Sequence, residues 1–267
     1  MVSKKILISA VTSLLTVAST ASADPSDLVK APIVLVHGAW ETSSIWDGVR
    51  ARLEHDGYRV RVVDLPGRPG NPARPDQVSM ESYRKAIAHA VARYKGPVVL
   101  VGHSFAGFPI SDFAESNPAK IKTLVYLAAY LPQDGQSLIA VATGDKDSKA
   151  GPALQIDKVA GLTTIVPAAR AGLFANDAPP QVGVIVASAT VPEPLGPLTT
   201  PVHLTGRFAR VDKDYIHTAR DQVVSPALQA AMVAATPVRL EQTLDTGHTP
   251  FVTNPNAVAV AIEAASR

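Results

Sequence analysis

The chain of 267 residues contains no cysteine. That excludes disulfides, thiol catalysis, iron–sulfur clusters and cysteine-built zinc sites, so the fold must rest on its core alone. Aromatic residues are 5% and charged residues 18% of the sequence, the latter below the ~25% of an average soluble protein. Coiled-coil and highly charged disordered classes are therefore excluded, as is a collagen-like chain, because glycine and proline show no period. No H-E-x-x-H motif and no clustered ligands mark a metallohydrolase. Beyond the N-terminal region no apolar run reaches the ~18 residues of a membrane span. A charge excess is also missing. The net charge of +2 comes entirely from Lys4 and Lys5, and the rest carries 23 basic and 23 acidic side chains. A broad basic surface for nucleic acid has no support.

What is present begins with residues 1–23. Lys4 and Lys5 precede a mostly apolar stretch, Ile6 to Val17, and Ala21-Ser22-Ala23 supplies the small residues that a signal peptidase reads. This three-part layout predicts a signal peptide cleaved after Ala23, and an exported protein, periplasmic or secreted. With no cysteine for lipidation, the mature protein is expected to be soluble and free of a stable membrane anchor.

Downstream, short apolar runs alternate with amphipathic stretches, the pattern of an α/β fold with a mostly parallel sheet flanked by helices. Strands are expected at Ile33–Val36, Val60–Leu65, Val98–Val101, Lys122–Ala128, Tyr215–Thr218 and Val238–Leu244. Helices are expected at Ile45–His55, Ser79–Tyr94, Pro226–Ala235 and Asn256–Ala265. Unbroken apolar runs indicate strands buried on both faces. Between about Gln133 and Thr200 the rhythm stops and prolines crowd the second half. A stretch this long within one domain reads as a functional cap. The expected organisation is a core of residues 24–132 and 202–267, interrupted after the fourth strand by a cap of residues 133–201.

The sharpest local signal is Val98-Val99-Leu100-Val101-Gly102-His103-Ser104-Phe105-Ala106-Gly107. It sets a serine on a tight turn between a buried strand and a helix, with small residues where the corner is crowded. The usual pattern is G-x-S-x-G, and Ala106 stands at its last position. Phe108-Pro109 excludes a P-loop, which requires Lys-Ser/Thr there.

A serine hydroxyl needs a base. His55 and His89 lie on outer helices, His203 in the proline-rich stretch and His217 within a strand. His37 and His103 adjoin tight loops. His248 follows the last strand and so stands at the sheet edge to which every parallel strand delivers its carboxyl end. It is the expected base. Asp221, just beyond the fifth core strand, is the expected carboxylate partner, ahead of Asp245 and Asp64. The order Ser104, Asp221, His248 is that of α/β-hydrolases. Backbone N–H groups of Phe105 and of Ala39, in His37-Gly38-Ala39-Trp40, are the expected oxyanion donors. Trp40 and Phe105 adjoin those donors and are candidates for lining the pocket.

These segments together resemble the α/β-hydrolase superfamily. The narrower likeness is to the group of plant methylesterases, salicylate-binding esterases and hydroxynitrile lyases, with their bacterial esterase relatives. It spans nearly all of the chain after residue 23. It rests on Val34-Leu35-Val36-His37-Gly38-Ala39-Trp40, Val62-Val63-Asp64-Leu65-Pro66-Gly67, Gly102-His103-Ser104, Leu127-Ala128-Ala129-Tyr130-Leu131-Pro132 and Gly247-His248-Thr249-Pro250-Phe251. Leu173-Phe174-Ala175-Asn176-Asp177 is similar to a cap segment of the same relatives. The resemblance implies a serine hydrolase without cofactor or metal, acting on a small-molecule ester in a mostly apolar pocket under the cap. The lyases of that group use a threonine beside the oxyanion loop and a lysine after the catalytic histidine. Here Gly38 and Thr249 occupy those places, so a departing cyanide would meet no cation, and ester hydrolysis is the favoured chemistry over lyase activity or ligand binding by a vestigial triad.

Overall fold

The computed structural model describes residues 30–267. The expected signal peptide lies outside the described residues. Strands β1 (Ile33–Val36), β2 (Val60–Val63), β3 (Val98–His103) and β4 (Ile121–Leu127) belong to the main sheet, and β5 (Leu154–Asp157), β6 (Leu162–Ile165) and β7 (Glu193–Pro194) to a smaller one. With β8 (Lys213–Thr218) and β9 (Leu240–Leu244) the chain returns to the main sheet. The main sheet runs β2-β1-β3-β4-β8-β9, and every neighbouring pair is parallel.

Side-chain alternation along the central strands divides the core in two. Val34, Val36, Leu100, Leu124 and Tyr126 point to one face and Ile33, Leu35, Val99, Val101 and Val125 to the other, all fully buried. The first face packs helices α2 (Met80–Val91) and α3 (Gly107–Ser116); the second packs α1 (Asp47–His55) and the helix Pro255–Ala265. Side-chain caps set where two of these helices begin. Ser79 and Ser82 form a reciprocal capping box on α2, and Asn254 Oδ1 accepts from the Ala257 amide at the last helix. At the edges, β2 and β9 are only half-buried, which for β2 departs from the expectation of burial on both faces. Each has a neighbour on one side only, so its outer residues meet solvent.

Residues 133–201 are not irregular. They carry helix α4 (Leu138–Gly144), further helices at Pro167–Phe174 and Pro180–Ala189, and the antiparallel sheet β5-β6-β7. These elements escape the sequence pattern for two reasons. The strands have four residues or fewer, and Pro180–Ala189 is apolar around its circumference, which gives no amphipathic period.

Strand order places the site. From β1 the chain moves outward to β2 and then crosses back to β3 on β1's other side, so connections diverge from the β1/β3 pair. The crevice above their carboxyl ends is the topological switch point, the usual ligand position in such sheets. His37-Gly38-Ala39-Trp40 leaves β1 there, and Ser104 leaves β3 there.

Candidate active site

Ser104 occupies the corner between β3 and α3 with φ +54°, a left-handed conformation costing a non-glycine residue roughly 1–2 kcal/mol. Close packing holds that corner. A Cβ on Gly107 would lie 1.8 Å from the Tyr130 carbonyl oxygen, so position 107 admits only glycine. Ala106 has a right-handed φ of −57° and is fully buried, which is why alanine is accepted where the usual pattern has glycine.

Three of the expected residues meet above this corner. The Ser104 hydroxyl donates to His248 Nε2 at 2.9 Å, and His248 Nδ1 donates to Asp221 Oδ2 at 2.8 Å. All three residues are buried. Asp221 is itself held firmly: Oδ2 also accepts from the Thr218 hydroxyl at 2.8 Å, and Oδ1 from the amides of Val223 and Val224 at 2.8 and 3.0 Å. Asp245 is elsewhere, exposed and paired with Arg220 at 3.0 Å. Asp64 accepts from the Ser43 amide. His55, His89 and His203 face solvent, and His217 bonds Glu241 across β8 and β9.

The loop after β1 runs tightly against the serine. A Cβ on Gly38 would come within 2.9 Å of Ser104 Cβ, so only glycine allows this approach. The Ala39 and Phe105 residues line one cavity with Ser104, and neither amide has an acceptor among the described residues. The cavity measures about 480 Å³. Trp40, Phe105 and Tyr130 wall it from the core, and Leu138, Leu154 and Leu198 from residues 133–201. A second apolar cavity of about 200 Å³ shares Trp40 as a wall and is bounded by Phe174, Ile185 and Phe251.

Two further histidines, those adjoining tight loops, are fixed in different charge states. His37 Nδ1 donates to the Gly38 carbonyl at 2.9 Å while Nε2 accepts from the Leu65 amide at 3.2 Å, which requires the neutral ring. Burial, then the Arg68 charge, pushes its pKa down to about 4. His103 instead faces two acceptors: Nδ1 donates to Glu41 Oε2 and Nε2 to the His248 carbonyl, each at 2.9 Å. Burial works against charge on this ring, but the Glu41 carboxylate prevails and raises its pKa. Burial likewise resists the Glu41 carboxylate, and the His103 charge and hydrogen bond hold it low. A buried ion pair thus sits directly under Ser104 and His248.

Above the β1 loop lies a second buried pair, Arg68 with Glu193 of β7, both side chains fully buried. Tyr83 donates to Glu193 Oε1 at 2.7 Å, and the Trp40 amide to Oε2 at 3.2 Å. Sequence reasoning missed Glu41, Arg68, Tyr83 and Glu193. Their partners lie 62 to 153 positions away, and no local pattern joins residues so far apart.

The sequence matches the alpha/beta hydrolase family over residues 33–261. The chain belongs to that family. It is 31% identical over 244 residues to a pyrethroid hydrolase of Sphingobium wenxiniae, covering 86% of this chain and 85% of that one. It is 26% identical over 238 residues to methylesterase 17 of Arabidopsis thaliana, covering 83% and 86%. Among solved structures, a pyrethroid hydrolase from Sphingobium faniae JZ-2 superposes with a TM-score of 0.75 at 27% identity, covering 88% of this chain and 97% of that one. Among the described residues, no helix is long and apolar enough to cross a membrane.

Proposed function

We propose that this alpha/beta hydrolase is an exported serine carboxylesterase acting on small, largely apolar esters through an acyl-enzyme. The observation that carries the reading is the chain of hydrogen bonds Ser104–His248–Asp221, whose serine lines an apolar cavity. Ser104 Oγ attacks the ester carbonyl carbon while His248 Nε2 takes the hydroxyl proton. Asp221 holds the imidazole in the Nδ1–H tautomer and stabilises the imidazolium. The carbonyl π electrons pass to oxygen, and the resulting oxyanion accepts hydrogen bonds from the Ala39 and Phe105 amides. Collapse of the tetrahedral adduct breaks the bond to the alcohol oxygen, which leaves with the proton from His248. Water, deprotonated by His248, then adds to the acyl carbon, and Ser104 leaves with that proton.

Thr249 follows the base, and its hydroxyl donates to the Phe174 carbonyl. Position 249 thus supplies no cation to a departing cyanide, which supports ester hydrolysis over the lyase reaction. Residues 1–23 support export, and the named relatives support ester substrates.

The test is pH-stat hydrolysis of a short-chain alkyl ester series, with a pyrethroid included because a relative is a pyrethroid hydrolase. Wild-type turnover is expected, falling by at least ~10⁴-fold in Ser104→Ala at unchanged fold. Equal rates in the two proteins, or none in either, would overturn the esterase reading.

A further inference from the structure

Three consecutive amides follow β1 beside the cavity, those of Gly38, Ala39 and Trp40. The first donates to Glu41 Oε2 at 2.7 Å and the third to Glu193 Oε2 at 3.2 Å. The middle one has no acceptor among the described residues, and Ala39 lines the cavity beside Ser104. The two carboxylates come from different parts of the molecule. Glu41 lies on the β1 loop itself, whereas Glu193 belongs to β7, 153 residues beyond Trp40.

The residue two before Glu193 and one on the neighbouring strand β6 hold Trp40 at two other points. The Trp40 carbonyl accepts from the Val191 amide at 2.9 Å, and the indole Nε1 donates to Thr163 Oγ1 at 3.1 Å. Trp40 has φ +59°, a left-handed conformation that a bulky side chain keeps only when its surroundings over-determine it. Those three bonds provide the restraint. The peptide bearing the Trp40 amide joins Ala39 to Trp40, so fixing it restricts the rotation of Ala39.

Carboxylates this close to a developing oxyanion would oppose it if their charge were bare. Both are neutralised by a buried cation: Glu193 by Arg68, with Tyr83 on its other oxygen, and Glu41 by His103. Each therefore takes up an amide without placing net negative charge at the oxyanion position.

Resting on the esterase reading, we propose that Glu193 is a positioning residue for the oxyanion hole. With Glu41 it occupies the amides on either side of Ala39, leaves the Ala39 N–H for the substrate oxygen, and makes the site a joint product of the sheet and residues 133–201. The chemistry predicts a distinctive kinetic signature. The Ala39 bond strengthens as the carbonyl oxygen becomes an anion, so misplacing it lowers kcat and leaves KM almost unchanged.

Two double variants separate the acceptor from the ion pair. Arg68→Met with Glu193→Gln removes both charges and keeps an oxygen for the Trp40 amide. Arg68→Met with Glu193→Leu removes both charges and the oxygen. Glu193→Asp, with Arg68 still paired, withdraws the oxygen by one methylene and provides a third reading in a chain that keeps the ion pair. The second readout is inhibition by a short-chain alkyl trifluoromethyl ketone. Ser104 Oγ adds to its carbonyl carbon, the serine proton passes to His248, and the carbonyl π electrons become an alkoxide in the oxyanion hole.

Relative to the Gln variant, the Leu variant is expected to lose roughly tenfold in kcat with KM within about twofold, and to bind the ketone weaker by the same factor. Glu193→Asp is expected to fall in kcat in the same direction relative to wild type. Equal kcat and equal ketone affinity in the Gln and Leu variants, or a loss confined to KM, would overturn the role of Glu193 while wild-type turnover left the esterase reading standing. A wild-type protein with neither turnover nor a ketone adduct would overturn both.

Discussion

Under Ser104 the buried pair Glu41–His103 joins the loop that leaves β1 to the last residue of the neighbouring strand β3. Above Trp40 the buried pair Arg68–Glu193 joins the sheet's side of the molecule to β7, in the stretch 133–201. The floor is thus closed within the parallel sheet and its adjacent loops, whereas the roof depends on how a distant segment folds over. Both pairs hold one amide of the same three-residue run. What differs is the reach of the connection, and with it the consequence of breaking each part.

The largest expected effect on stability comes from breaking the floor. Glu41→Ala leaves the His103 ring without its counter-charge and the Gly38 amide without an acceptor, both buried. Losing one partner of a buried pair costs about 3–5 kcal/mol. Urea denaturation at pH 7 is expected to show a loss of that size, with activity collapsing because His103 also anchors the His248 carbonyl. Glu41→Gln keeps an oxygen for Gly38 and is expected to fall between Glu41→Ala and wild type. A loss under 1 kcal/mol in Glu41→Ala would show that the floor is no more integral to the fold than the roof.

A somewhat smaller effect comes from pH, and it divides the two floor histidines. His37 titrates near 4 in the folded chain, against an ordinary value of 6.5. Below pH 6.5 the unfolded state takes a proton that the folded state refuses. Stability supplied by neutral His37 is therefore complete above pH 6.5 and falls by about 1.4 kcal/mol per pH unit towards pH 4, roughly 3 kcal/mol in all. His103 has the opposite sign. Its raised pKa gives stability that is complete below its unfolded value and is lost as pH rises through its folded one. Glu41, held low, contributes above 4.5 and loses its contribution as pH falls through its folded value. Between pH 6.5 and 4.5, denaturation free energies of wild type are expected to slope more steeply than those of His37→Gln by about 1.4 kcal/mol per pH unit. Parallel slopes would mean that His37 takes its proton as readily folded as unfolded.

The same division governs what was legible in the sequence. Core strands could be read because central parallel strands are buried on both faces and appear as unbroken apolar runs, as in Ile33–Val36 and Val98–Val101. Ser104 could be placed because its corner needs small neighbours within a few residues. Asp221 and His248 followed from a topological rule, that parallel strands share one carboxyl edge. Glu41 and His103 are adjacent to those motifs, yet their pairing needed the register Val36 to Gly102. The roof was out of reach. Glu193 stands between Pro192 and Pro194 and reads as part of a loop, while its partners Arg68, Tyr83 and Trp40 lie 110 to 153 positions earlier. The half-exposed edge β2 reads as buried because an apolar run does not report whether a strand has a neighbour on each side.

The smallest effect is expected on the outside of the roof, and it sharpens the contrast within the roof itself. In the helix Pro180–Ala189, Val184 and Ile185 are 68% and 65% exposed, so about a third of each side chain is covered. Full burial of such a side chain is worth about 1.5–3 kcal/mol, and a third of that is about 0.5–1 kcal/mol. Serine has nearly the helix propensity of valine and isoleucine, so backbone preference adds little. Val184→Ser with Ile185→Ser is therefore expected to lower stability by no more than about 2 kcal/mol and to leave kcat unchanged. Ile185 also bounds the smaller cavity beyond Trp40, which has no Ser104 in its wall. A change in kcat on short esters would show that this helix bears on Trp40 and, through it, on the amide of Ala39. An unchanged kcat confines the roof's control of the site to the inner contacts of Glu193, Val191 and Thr163 with Trp40.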